Sequence, residues 1–224
     1  MIYKRFLKRI LDFTLAIIIL LVLSPIFIIC IIVLLLTGEH EVFYFQKRIG
    51  KANQPFFIWK FATMLKNSPN IGTGTYTIRN DPRVLPFGVF LRKSKINELP
   101  QIFNVLLGSM SVVGPRPLVE KHFEMYSREV KNKIGDMIPG ITGIGSIVFR
   151  DEEKILSQGE NPREIYKKKV APYKGALELW YQQNISFWVD IKIMILTFWI
   201  ILFPDSNLHY KWLKNLPIKP DYLI

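Results

Sequence analysis

The chain has 224 residues, half of them hydrophobic, and a formal net charge of +12 from 30 Lys and Arg against 18 Asp and Glu. The length allows one domain of ordinary size, the single Cys excludes an intrachain disulfide, and a mean hydropathy of +0.20 is unusual for a wholly soluble domain. The charge predicts anionic partners, and the apolar N-terminus favours phosphates or a membrane leaflet over nucleic acid.

The first segment combines a basic flank with a long apolar stretch. Phe13 to Leu36 is apolar, too long for a signal peptide, and long enough to cross a hydrocarbon core of ~30 Å as a straight helix. Ser24 and Pro25 lie in its middle, where the missing proline N–H predicts a kink or break that the Ser24 hydroxyl can soften. A kinked transmembrane helix and a re-entrant helix are both consistent with this pattern. The basic flank consists of Lys4, Arg5, Lys8 and Arg9.

The rest of the chain alternates short elements with turn-rich stretches. Strands are predicted at 42–45 and 56–59 with Gly50 between them, and a loop at 66–83. Helices are predicted at 97–107, 118–133 and 162–183, the last polar and bent at Pro172. Glycines and prolines predict further turns at 108–117 and 139–145. Residues 185–203 are apolar and aromatic but interrupted by charge, which predicts a helix lying in the membrane interface or a core helix.

The segment from Asn97 to Gln101 has two interpretations. Asn97 suits a helix N-cap and Glu98 suits a first turn, so a capping role alone explains both. A helix N-terminus next to Arg92 and nearby lysines also forms a phosphate site, where a carboxylate binds Mg²⁺ or attacks phosphorus.

A rigid turn then displays a single arginine. Pro115 and Pro117 fix the backbone around Arg116, which pre-aims its guanidinium at a planar anion such as phosphate. Further isolated cations next to turns are weaker candidates for phosphate binding: Arg48, Lys60, Arg83 and Arg150.

Taken together, these motifs resemble the monotopic phosphoglycosyl transferases, the bacterial sugar transferase family that initiates glycan assembly. The resemblance covers nearly the whole chain, through Lys8-Arg9 with Asp12, Ser24-Pro25, Phe45 to Arg48 with Gly50, Trp59-Lys60-Phe61, Asp81-Pro82-Arg83, Gly88, Leu91-Arg92, Glu98 to Gln101, Asn104-Val105, Met110 to Pro117, Pro139 to Gly143, and Tyr181 with Asn184, Ser186, Asp190 and Lys192.

The resemblance implies a membrane-associated α/β fold at the bacterial inner membrane, with the catalytic domain facing the cytoplasm. Its expected parts are a re-entrant helix-break-helix at 1–38, a compact, mainly helical catalytic domain with a small β element at 39–204, and a tail at 205–224. Both the basic flank and the domain then lie on the cytoplasmic side. The implied donor is a UDP-sugar, the acceptor a polyprenyl phosphate such as undecaprenyl phosphate, the cofactor Mg²⁺ and the product UMP. Downstream glycosyltransferases and a second copy of the chain are further expected partners.

The sequence departs from the family at one central position. The family uses an adjacent Asp-Glu pair whose Asp attacks the donor β-phosphate, and here Asn97 stands in place of that Asp. A neutral amide is a poor nucleophile and a weak Mg²⁺ ligand. Four interpretations are open: Glu98 is the nucleophile, the acceptor attacks directly, Asn97 is deamidated or was introduced, or the protein is inactive.

Two functional hypotheses therefore stand. The first is an active transferase, in which Asn97 and Glu98 act in catalysis and metal binding. The alternative is a catalytically impaired membrane protein that binds a UDP-sugar or a partner transferase. Turnover of a UDP-sugar separates them, because the alternative predicts binding without UMP release.

Overall fold

The computed structural model describes residues 3–71, 81–157 and 161–221, so residues 72–80, half of the loop predicted at 66–83, lie outside the described residues. A π-helical turn at Tyr3–Leu7 leads into α1, Lys8–Leu36, which continues through Pro25 as helix. Pro25 cannot bond to the carbonyl of Leu21, and the Ser24 hydroxyl donates to that same carbonyl at 2.8 Å. The predicted role of Ser24 is confirmed, whereas the re-entrant path stays a prediction.

Both ends of α1 are attached to the same domain. Near its start, Lys8 Nζ lies 2.5 Å from Asp190 Oδ2, and Asp12 Oδ1 accepts a 2.9 Å hydrogen bond from the Val112 backbone N–H. In its second half, the Phe27 ring packs on Phe61 at 5.4 Å between centroids, and Leu34 near its end is buried. Much of the surface of α1 between these attachments is exposed and apolar. By length and composition α1 could cross a membrane, a test that core helices and signal sequences also pass.

An antiparallel hairpin follows α1. Strand β1, Phe43–Ile49, pairs with β2, Pro55–Phe61, around a turn that begins at Gly50. Both predicted strands are confirmed, and both are longer than expected. The Asn104 side chain ties β2 to the next helix, accepting from the Trp59 backbone N–H at 2.9 Å and donating to the Phe57 carbonyl at 2.8 Å.

A second, parallel strand pair lies where the sequence predicted only turns. Strand β3, Ser111–Val113, pairs with β4, Gly140–Thr142. The two chains approach so closely that a Cβ on Gly140 would lie 2.1 Å from the Gly114 nitrogen. Glycine is therefore required at this crossing, and the glycines that suggested loops serve close backbone packing instead.

The remaining helices are mostly short. They are α2 Pro86–Lys93, α3 Gln101–Leu107, α4 Glu120–Phe123, α5 Arg128–Gly135, α6 Ile144–Val148, α7 Glu152–Leu156, α8 Pro162–Ile165, α9 Ala171–Asn184, α10 Phe187–Leu202 and α11 Leu208–Trp212.

Two of the longer predicted helices are interrupted in the structure. The single helix predicted at 118–133 is wrong, because Ser127 accepts from the Val130 backbone N–H and begins a new helix, α5. The helix predicted at 162–183 is present, but a π-helical turn at Tyr166–Val170 separates α8 from α9. This irregularity lies just before Pro172, where the proline leaves the Lys168 carbonyl without its usual partner.

The helix expected near 185–203 is α10. The Ser186 side chain accepts from the Val189 backbone N–H at its start. Its buried side includes Asp190, Ile193 and Leu196, whereas Trp188 and Phe198 on other faces are exposed. This combination fits a helix that packs on the domain with one side and leaves an apolar side uncovered.

Candidate active site

The hairpin presents a different chemistry on each face. Tyr44, Gln46 and Arg48 of β1 share one face with Lys60 of β2, because alternate residues point to opposite sides and Tyr44 pairs with Lys60. The opposite face is aromatic: Phe45 packs on Trp59 with centroids 4.9 Å apart. One face therefore carries cations, and the other packs toward α1 and α3.

Asn97 and Glu98 lie in a short 3₁₀ turn, Ile96–Glu98, just before α3. The predicted N-cap role of Asn97 is wrong, since Lys95 precedes this turn with a left-handed backbone, φ 61°, and Pro100 takes the cap position of α3. The Asn97 side chain is 8% exposed, and among the described residues its Oδ1 has no hydrogen-bond partner. Capping therefore does not explain this residue.

Glu98 joins the hairpin to the Pro-Arg-Pro turn. Its Oε1 lies 3.1 Å from Arg116 Nη2 and 3.6 Å from Lys60 Nζ. Burial raises the pKa of Glu98, but the charges of Arg116, Lys60 and Lys95 outweigh burial and hold that pKa well below its usual range. Glu98 is therefore an ionised carboxylate at any physiological pH.

The turn that carries Arg116 is anchored from both sides. The Pro115 carbonyl accepts from the Gly140 backbone N–H at 2.9 Å, and the Pro117 carbonyl accepts from Arg48 Nη1 at 3.1 Å. The Glu98 charge raises the pKa of Arg116. The predicted turn is present, and its guanidinium is held in place by Glu98.

Two cations on this face of the hairpin, Lys60 and Arg48, lie partly buried beside this pair. Burial lowers the pKa of Lys60 to about 7 and that of Arg48 to about 10, and Glu98 opposes the shift in both. Closely spaced cations in a poorly solvated site disfavour their own charge. An incoming phosphate would relieve this repulsion, which is the electrostatic signature of an anion site.

The structure does not bring every candidate cation together. The Arg83 guanidinium is 4% exposed and binds Asp81 through Nε at 2.8 Å and Nη2 at 2.5 Å, while Nη1 donates to the carbonyls of Ser68 and Ile71. These contacts show that Arg83 holds together the chain segments around it. They do not support its predicted role in substrate binding.

Arg92 and Arg150 occupy different surroundings. Arg92 lies in the last turn of α2, where its charge lowers the pKa of Lys60, although less than burial does, so it belongs to the site's periphery. Its helix packs tightly on the chain after β2, since a Cβ on Gly88 would lie 2.2 Å from the Thr63 carbonyl oxygen. Arg150 follows α6, and its role in substrate binding stays a prediction.

A buried polar group behind Arg116 was missed from the sequence. Lys174 of α9 forms an ion pair with Glu152 of α7, and Glu178, one turn further along α9, is 2% exposed. Burial raises the pKa of Glu178 to about 7, while Lys174 and the Arg116 backbone N–H act in the opposite direction. The signal in the sequence was weak, because Lys174 and Glu178 lie on what was predicted as a polar helix.

The donor atoms present are compatible with Mg²⁺. Within the described ranges no group of three or more His, Cys, Asp or Glu side chains converges. Mg²⁺ commonly takes one or two protein oxygens, several waters and substrate phosphates, so it does not need such a group. The Glu98 carboxylate and the Oδ1 of Asn97, which are adjacent in sequence, supply two oxygens of the right kind, and that Oδ1 has no hydrogen-bond partner among the described residues.

Comparison with known proteins assigns the chain to a family. The family model described as bacterial sugar transferase matches residues 3–204. The chain belongs to the bacterial sugar transferase family. The family resemblance predicted from the motifs is confirmed.

Several relatives in this family have been given names. A UDP-glucose:undecaprenyl-phosphate glucose-1-phosphate transferase of Escherichia coli strain K12 is 37% identical over 197 residues, which are 87% of this chain and 40% of that protein. An undecaprenyl-phosphate galactose phosphotransferase of Salmonella typhimurium is 31% identical over 217 residues, or 91% of this chain and 42% of that protein. An uncharacterized sugar transferase of Bacillus subtilis is 36% identical, with 85% of both chains covered. The chain thus spans less than half the length of the first two sugar transferases.

Proposed function

We propose that the protein transfers a sugar-1-phosphate from a UDP-sugar to a polyprenyl phosphate, undecaprenyl phosphate in bacteria, and releases UMP. The observation that carries the proposal is the Lys60–Glu98–Arg116 cluster, a partly buried carboxylate between two cations, with Arg48 beside it. Family membership and the names of two relatives support the same reaction. The reaction would be the first membrane step in assembling a glycan such as an exopolysaccharide or lipopolysaccharide.

The cluster suits phosphoryl transfer because such reactions are promoted mainly by positioning and charge stabilisation. Arg116 offers a planar fork of donors for phosphate oxygens, and its turn is fixed by contacts to Gly140 and Arg48. Bound at Glu98 and Asn97, Mg²⁺ would neutralise charge on the donor's diphosphate. Lys60 and Arg48 add positive charge on the hairpin side.

We infer that the acceptor phosphate attacks the donor directly. Asn97 lacks the carboxylate that the family resemblance places there, and Glu98 is engaged by two cations that stabilise its charge and reduce its nucleophilicity. An acceptor phosphate oxygen then bonds to the β-phosphorus as the bond from that phosphorus to the bridging oxygen breaks. UMP leaves with the bridging oxygen, and the lipid product carries the sugar on a diphosphate.

We further propose that the domain rests on the cytoplasmic face of the inner membrane, with α1 re-entrant. α1 contacts this one domain at its start, through Lys8 with Asp190, and again in its second half, through Phe27 with Phe61, and Leu34 near its C-terminal end is buried. A helix crossing the bilayer at a steep angle would carry one of these ends away from a domain that lies outside the membrane. Dimerisation and downstream glycosyltransferases stay predictions.

Purified protein in nanodiscs, supplied with undecaprenyl phosphate, Mg²⁺ and a panel of UDP-sugars, tests the reaction through UMP release. We expect turnover by the wild type and near-complete loss in Glu98→Gln. Glu124→Gln is the matched control, because Glu124 likewise forms an ion pair, with Lys131, but its side chain is exposed. The proposal fails if no UDP-sugar yields UMP, or if Glu98→Gln is as active as the control.

A further inference from the structure

The two ends of the hairpin have different surroundings. At the open end, where β1 begins and β2 ends, the Phe43 and Phe61 rings stack 5.7 Å apart, and Phe61 packs on Phe27 of the apolar helix α1. At the turn end, Asn53 packs closely on α5, where a Cβ added at Gly135 would lie 2.5 Å from its Oδ1. The open end therefore lies beside the membrane helix, and the turn end lies beside a polar helix.

The charged face of the hairpin runs between these ends. Lys60 pairs with Tyr44 one position from the Phe43–Phe61 pair, whereas Arg48 lies four residues further along β1. Four strand residues cover roughly 13 Å. Arg48 and Arg116 are neighbours at the turn end, since Arg48 donates to the Pro117 carbonyl, and Glu98 lies between Arg116 and Lys60.

Tyr44 is the exposed member of this face at the open end. It is 40% exposed, while the Lys60 side chain across from it is 14% exposed. Burial lowers the pKa of Arg48 to about 10, and Tyr44 and Glu98 are both among the groups that oppose this shift. The Tyr44 hydroxyl is thus within electrostatic reach of Arg48, one of the cations that Glu98 also acts on, and Tyr44 lies directly across from Lys60 on the same face.

We propose that Tyr44 contacts the lipid-phosphate acceptor at the membrane end of the site, and that the donor's diphosphate lies toward Arg48 and Arg116. The inference rests on the proposed function. A lipid phosphate reaches the site from the membrane, so the open end of the hairpin is the first part that it meets. Tyr44 combines a ring that packs on an isoprenoid with a hydroxyl that bonds to phosphate, which suits the junction between the lipid chain and its head group.

The hairpin supplies its own control residue. Phe57 is also exposed, at 58%, but pairs with Lys47 on the opposite face. Tyr44→Ala and Phe57→Ala each remove one exposed aromatic ring from the same two strands. If losing an exposed ring impairs folding or membrane contact in general, both variants show the defect. If Tyr44 contacts the acceptor, only Tyr44→Ala shows it.

The first measurement is steady-state turnover in nanodiscs, with the mole fraction of undecaprenyl phosphate and the UDP-sugar concentration varied separately. We expect Tyr44→Ala to raise the KM for the acceptor on the order of tenfold, with the donor KM within about twofold of the wild type. Phe57→Ala should leave both unchanged. The proposal is overturned if Tyr44→Ala changes the donor KM instead, changes neither, or behaves like Phe57→Ala.

A binding measurement separates this inference from the proposed function. Native mass spectrometry of the protein with undecaprenyl phosphate alone needs no turnover. If the wild type and Phe57→Ala retain the lipid while Tyr44→Ala loses it, the acceptor site stands even where no UDP-sugar is consumed. If the wild type does not retain the lipid, or Tyr44→Ala retains it equally well, the acceptor site is rejected whatever the turnover assay shows.

Discussion

Arg116 Nη2 donates a 3.1 Å hydrogen bond to Glu98 Oε1, across a turn fixed by Pro115 and Pro117. Two segments far apart in sequence are thereby joined at one carboxylate. A positive charge alone would not suffice at position 116, because the side chain must hydrogen-bond to Glu98 and still have N–H donors left for a phosphate. The guanidinium of Arg116 has enough donors for both.

Arg116→Lys should therefore impair the reaction although charge is kept. A lost hydrogen bond between charged groups costs about 1.5–3 kcal/mol, so we expect kcat/KM to fall roughly 10- to 100-fold. Steady-state UMP release measures the effect. Arg128→Lys, at an exposed position at the start of α5, is the control and should match the wild type. Equal activity of the two variants would remove Arg116 from the proposed site.

Arg83→Met should affect stability and leave the chemistry of the folded protein intact. The substitution leaves the buried Asp81 carboxylate without its guanidinium, which typically costs about 3–5 kcal/mol of unfolding free energy. Thermal unfolding in detergent measures the loss. Lys131→Met is the control, because its partner Glu124 is largely exposed and such pairs contribute about 1 kcal/mol or less. A large rise in donor KM without any loss of stability would instead place Arg83 on the substrate.

Glu178→Gln should change how stability depends on pH. Burial raises the pKa of Glu178 from its usual 4.5 to about 7, so the folded state retains a proton that the unfolded state releases between these values. Ionising Glu178 therefore lowers the free energy of unfolding. This loss of stability is absent below pH 4.5, grows as the pH rises, and is complete above about 7, where it reaches up to about 3 kcal/mol.

The variant lacks this titration. The unfolding free energy of the wild type relative to Glu178→Gln should therefore fall as the pH is raised from 4.5 to 7.5. Chemical unfolding across this range provides the measurement. A constant difference between the two proteins would show that Glu178 titrates normally in the folded state.

The topology of α1 can be tested with single cysteines. After Cys30 is replaced by Ala, Phe6→Cys and Thr37→Cys place one thiol near each end of the helix, and Lys133→Cys marks the domain. A re-entrant helix predicts that a membrane-impermeant maleimide labels none of the three in right-side-out vesicles and all three in inverted ones. Labelling of Phe6→Cys or Thr37→Cys from the side opposite Lys133→Cys would show a spanning helix.

The sequence predicted those features that depend on local pattern. The strands around Gly50 follow from short β-prone runs and a turn residue, and the proline-flanked display of Arg116 follows from fixed backbone angles. Even the Ser24 bond to the Leu21 carbonyl follows from the position of Pro25.

Features that depend on tertiary contact were not predictable. Strands β3 and β4 consist of a few residues each and pair in parallel across more than twenty-five positions of sequence. Asn97 is of a residue type common at helix N-caps, but it lies in a 3₁₀ turn that follows the left-handed Lys95, and its Oδ1 has no hydrogen-bond partner in the part of the chain that the structure describes. Arg83 resembles a phosphate ligand in its motif, and only the fold shows that Asp81, Ser68 and Ile71 occupy its donors.

Direct attack by the acceptor is the central claim, and isotope exchange tests it most directly. A covalent phosphosugar–enzyme intermediate allows labelled UMP to enter UDP-sugar in the absence of any acceptor, whereas direct displacement does not. We predict that the wild type shows no exchange without undecaprenyl phosphate but releases UMP when the lipid is present, and that Asn97→Asp gains exchange. Acceptor-independent exchange by the wild type would contradict direct attack and assign the nucleophile to Glu98 or another group.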